Sequence, residues 1–161
     1  MSAVKRTVPA LAVVMVMMSV FFVGCLGGGN NGYTISPQGT VIQANGGKLT
    51  INVPADAVTS TQTIQVQVLS ADDNLTGFMR GCSYEITPED LNFSRAVQLM
   101  IEFDHTDLPE GVNESELHPC RANSCCWDDM MQTEVHMMND TVTLNITHLG
   151  IFSVSWQTQV M

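Results

Sequence analysis

Positive charge is scarce in this sequence. Six Lys and Arg face sixteen Asp and Glu across 161 residues, a formal net charge of -10. Lys5 and Arg6 sit at the extreme N-terminus. Beyond them only Lys48, Arg80, Arg95 and Arg121 remain; four cations against sixteen acids leave that part at -12. A surface so acidic repels phosphate backbones and anionic lipid headgroups, so nucleic acid is not expected as a partner. Catalytic signatures are missing too. There is no Gly-rich phosphate loop, no zincin helix and no serine elbow, and the run Gly27-Gly28-Gly29 precedes no helical pattern. From Tyr33 onward helical periodicity is absent as well. The chain reads as one domain that is not an enzyme and carries no cofactor.

Long apolar runs are also lacking, with one exception. Val8 to Val23 is a nearly unbroken apolar block behind the basic start Met1-Ser2-Ala3-Val4-Lys5-Arg6. Its length suits the core of a signal peptide and is short for a bilayer-spanning helix. The block closes with Phe22-Val23-Gly24-Cys25. This resembles the lipobox of prokaryotic lipoprotein signals: an apolar residue, a variable one, a small one, then Cys. Phe22 stands where Leu is usual. The resemblance implies a signal peptide over 1–24, removed before a Cys25 that receives acyl chains. Paired chains hold a protein on a membrane where a single chain does not. The run from Leu26 to Gly32 is Gly-rich, as in flexible linkers, so residues 25–38 are expected to be lipidated Cys plus tether. The body, 39–157, then lies outside the cytoplasmic membrane, because the positive end stays inside.

That body reads as an all-β sandwich of about eight or nine mostly antiparallel strands. Strands are expected at 39–43, 48–53, 63–68, 82–87, 96–103, 117–121, 140–147 and 151–156. Thr63-Ile64-Gln65-Val66-Gln67-Val68 alternates strictly, which predicts one buried and one wet face. Four motifs then occur in order: Gly46 to Val58, with a glycine pair, an amphipathic strand and Pro54; Tyr84 to Phe103, with a turn at Pro88; Leu108-Pro109-Glu110-Gly111; and Val142 to Val154. Together they resemble the ZU-five domain of ankyrins, netrin receptors and microbial surface proteins. The resemblance implies a sandwich used for binding or assembly, here with envelope proteins or wall polymer. Some relatives cleave themselves at a His-Phe-Ser sequence. The matching stretch is His148-Leu149-Gly150, and glycine supplies no hydroxyl nucleophile. No self-cleavage is expected, and His148 is assigned to capping or packing a strand.

Four cysteines remain besides Cys25: Cys82, Cys120, Cys125 and Cys126. An even number in an exported domain suggests two disulfides, with three possible pairings. One pairing joins Cys120 to Cys125 across a turn at 121–124, and Cys82 to Cys126. The same segment supports a competing reading. Cys120, Cys125, Cys126, Met130 and His136, with His118, Met131, Met137 and Met138 nearby, are soft ligands of the kind that suits copper. Their spacing fits no closed zinc pattern. His105, beside Asp104 and Asp107, reads as solvated loop charge. Of five glycosylation sequons, Asn74, Asn113 and Asn139 fall in expected turns and are the best placed to carry sugar.

Overall fold

The computed structural model describes residues 31–69, 78–122, 127–129, 136–138 and 140–156. These residues build eleven strands: β1 (Asn31–Ile35), β2 (Thr40–Ala44), β3 (Leu49–Val53), β4 (Gln62–Val68), β5 (Tyr84–Thr87), β6 (Asn92–Glu102), β7 (His118–Ala122), β8 (Trp127–Asp129), β9 (His136–Met138), β10 (Thr141–His148) and β11 (Gly150–Ser155). One sheet runs β1-β4-β5-β11-β7-β8 and the other β2-β3-β6-β10-β9. Every pairing between these strands is antiparallel. The chain is an all-β sandwich. Among the described residues no helix is long and apolar enough to cross a membrane.

Alternation in the sequence places the core. Leu49, Ile51 and Val53 on β3 are buried, as are Ile64 and Val66 on β4, while Gln65 and Gln67 face solvent. Val97, Leu99 and Ile101 on β6 meet Val142, Leu144 and Ile146 on β10 through a long register that pairs Thr141 with Glu102 and Ile146 with Val97. From the other sheet Tyr84, Ile86, Phe152 and Val154 complete the interior. Burying each large aliphatic side chain stabilises the fold by roughly 1.5–3 kcal/mol. The two sheets are also tied at one edge. Asn45, in the turn Asn45–Gly47 between β2 and β3, donates from its amide to the Tyr84 hydroxyl at 3.2 Å.

Two expectations about segment limits are corrected. The expected tether extends to residue 38, but β1 begins at Asn31 and pairs along its whole length with β4. Tyr33 and Ile35 on β1 are 3% and 0% exposed, so the folded body starts before Gly39. Gly39 instead closes the turn into β2: its N–H donates to the Ser36 carbonyl, and its φ is +88°. A Cβ there would sit 3.0 Å from the Ala55 nitrogen, a second reason for glycine. The expected turn at 121–124 also shifts. β7 continues through Ala122, which pairs with Trp127, so the connection between β7 and β8 is residues 123–126.

Candidate functional sites

The residues singled out by sequence scatter over the sandwich. Cys25, Asn74, Cys125, Cys126, Met130 and Asn139 lie outside the described residues. Cys120 is buried on β7, opposite Ser153 of β11. His136 belongs to β9, at the edge of the other sheet, opposite Thr143. Packed sheets stand about 10 Å apart, so the strands carrying Cys120 and His136 do not bring those two residues side by side on one sheet. Asn113 is exposed at the start of a 3-10 turn, a position open to a glycosylating enzyme.

Cys82 departs from expectation. It is a free, buried thiol and not half of a bridge to Cys126. Its Sγ lies 3.6 Å from the carbonyl oxygens of both Arg80 and Glu102, and its single proton can be donated to either. Burial pushes this thiol up to about 12, so at neutral pH it is neither thiolate nucleophile nor ready soft ligand. Nearby, the Ser83 and Ser153 hydroxyls share a buried hydrogen bond of 2.6 Å between β11 and the residue preceding β5. Both are close to fully enclosed.

The His148-Leu149-Gly150 stretch spans the end of β10 and the start of β11. A register shift between Ile146 and His148 marks a β-bulge there. Position 150 has no side chain, and the Arg121 guanidinium occupies the neighbouring space. Its Nε lies 3.5 Å from where a Cβ at 150 would be. That Nε is buried without a hydrogen-bond partner. His148 is held below its ordinary pKa, first by burial and then by the positive charge of Arg121. Its Nδ1 lies 3.2 Å from the Thr147 hydroxyl. The arrangement is a partly covered strand end with no hydroxyl at residue 150.

One cluster escaped the sequence reading. At the end of the five-stranded sheet where β6 leaves and β10 enters, three loops converge. His105 opens the 3-10 turn His105–Asp107, Glu114 opens Glu114–Glu116, and Asp140 immediately precedes β10. His105 Nε2 lies 2.5 Å from Glu114 Oε1 and 3.7 Å from Asp140 Oδ1. One ligand atom from each of the three lies within 4.8 Å of the others. The contact joins residues nine and thirty-five positions apart from His105, a separation that no local pattern reveals.

The loops around this cluster are individually fixed. Asp104 accepts from both the backbone N–H and the hydroxyl of Thr106. These bonds hold its carboxyl below the usual range. The Phe103 N–H donates to the Asp140 carbonyl, and the Phe103 ring meets the His105 imidazole edge-on, with centroids 6.5 Å apart. The Glu116 carboxylate accepts from the Asn113 N–H at 2.8 Å, closing the turn that presents Glu114.

No family model matches this chain, and no curated protein matches it.

Proposed function

We propose that the chain is an extracytoplasmic lipoprotein, anchored through Cys25, whose sandwich is a non-catalytic module for binding or assembly. The observation that carries this reading is the order of segments: a basic start, the apolar block to Val23, Gly24-Cys25, and then a folded strand beginning at Asn31. β1 begins six positions after Cys25, with only five residues between them. At roughly 3.3–3.6 Å per residue, such a stretch reaches about 20 Å at most. A domain anchored this way stays close to the bilayer surface, with the lipid supplying the attraction that its acidic surface does not. The resemblance of four motifs to the ZU-five domain favours a role as a protein-contact module, with envelope proteins or wall polymer as partners.

The test is metabolic labelling with a palmitate analogue in a prokaryotic host, comparing the wild-type chain with Cys25→Ser. The wild type should carry label and sediment with membranes. The variant should lose the label, keep its leader uncleaved and retain a normal fold. A variant that still carries acyl label removes Cys25 from the anchoring role.

A further inference from the structure

We propose that His105, Glu114 and Asp140 bind one first-row divalent transition-metal ion, with zinc as the representative probe. The donor set is one imidazole nitrogen and two carboxylate oxygens. With the imidazole neutral, the two carboxylates match the charge of a divalent cation. Imidazole nitrogen selects zinc and its neighbours over calcium and magnesium, which prefer all-oxygen shells.

The spacing agrees. In a tetrahedral zinc site with bonds of about 2.0–2.1 Å, neighbouring ligand atoms lie roughly 3.3 Å apart. The separations of 2.5 and 3.7 Å from His105 Nε2 lie on either side of that value, and the two carboxylates lie within 4.8 Å of each other. The remaining coordination position opens to solvent, since His105 is exposed and the two carboxylates are only partly covered. Such an open position takes water or a further oxygen ligand.

The setting favours a cation independently of the three ligands. Besides the ligand Glu114, residues 104–117 hold Asp104, Asp107, Glu110 and Glu116 and no Lys or Arg; Lys48, from outside this stretch, is the cation whose charge reaches Asp104. The imidazole meets the ring of Phe103 edge-on, and Phe103 itself is buried. The three ligands therefore arrive from three separately braced loops, and a metal would join the loop after β6 to the start of β10.

The competing account is a protonated His105 paired with two carboxylates. Zinc titration of the full chain distinguishes the two. The protein is stripped with chelator, dialysed, and titrated by calorimetry and by competition with a chromophoric chelator. Wild type should take up zinc at this site, and His105→Gln and Asp140→Asn should each weaken that binding by at least about tenfold. The double variant Cys125→Ser/Cys126→Ser should leave it within about twofold, because neither cysteine belongs to the proposed donor set. Calcium should bind at least about tenfold more weakly than zinc. The His105 ring resonances should shift on zinc addition. Melting in chelator checks that each variant folds, and Glu114→Gln serves as a third ligand variant should either fail. Wild type that takes up no zinc, affinity unchanged by the ligand variants, affinity lost only in the cysteine variant, or calcium bound as tightly as zinc would each overturn the proposal.

Discussion

The interior of the sandwich and the loop end beside β6 and β10 both hold polar or ionisable side chains, in opposite environments. Inside, Cys82, Tyr84, Ser83 and Ser153 are polar or reactive groups enclosed by apolar neighbours. Burial pushes the Cys82 thiol and the Tyr84 phenol each up to about 12, so both stay protonated at neutral pH. Their polar atoms are engaged with carbonyls, a side-chain amide or each other. At the loop end, the side chains of His105, Glu114 and Asp140 keep 59%, 39% and 47% of their surface. The difference teaches where chemistry can occur in this molecule. Desolvation turns a nucleophile into a packing group, while a braced but wet loop leaves its ligands available.

The interior half of this contrast is broken most severely by opening the core. Phe152 is fully buried on β11 and faces Tyr84 in register. Phe152→Ala should cost about 3–5 kcal/mol in denaturant unfolding, while zinc binding at the distant loop end persists in whatever fraction stays folded. Alkaline titration comes next. Both shifted groups have folded pKa values raised above their ordinary 9.0 and 10.0. The folded state then holds protons that the unfolded chain has released. Stability is therefore complete below pH 9 and falls as pH climbs from 9 toward about 12. Flat stability across that window would show that neither group is desolvated. A smaller effect should follow Ser153→Ala. It strands the buried Ser83 hydroxyl and should cost about 1–3 kcal/mol, with Ser83→Ala added on top recovering part of the loss.

The sequence made the scaffold legible and left the loop cluster hidden, for a physical reason. Eight strands were readable because period-2 alternation such as Thr63 to Val68 is a local signal of one buried face. Val68 marks its limit: it continues the alternation yet is 42% exposed at the end of β4. β1 is hidden in the sequence because Gly32 and the glycines before it resemble a tether, although Tyr33 and Ile35 alternate as a strand should. β8 and β9 span three residues each, too few for a period to show. His105 looked like one more charge in an acidic loop. Its partners arrive because β10 pairs with β6, which sets Asp140 beside Phe103, and that is a consequence of sheet order. That residue 150 is a glycine without a hydroxyl is read from the sequence directly. The guanidinium beside that glycine needed the fold.

The smallest predicted effect sharpens the comparison at its other end. In the presence of chelator, His105→Ala removes only an exposed ion pair. Side chains as open as these gain little from pairing, because water screens the charges and holding two flexible groups costs entropy. The loss should stay below about 1 kcal/mol in chelator. With zinc present, the same substitution should remove a stabilisation that grows with zinc concentration, because a ligand that binds only the folded state raises stability by mass action. The measurement is the melting temperature of wild type and His105→Ala with and without zinc. A gap that widens with zinc assigns the cluster to metal. A gap that is already large in chelator would mean that His105 supports the fold itself, and the division between a protonated, enclosed interior and an available loop end would fail at that residue.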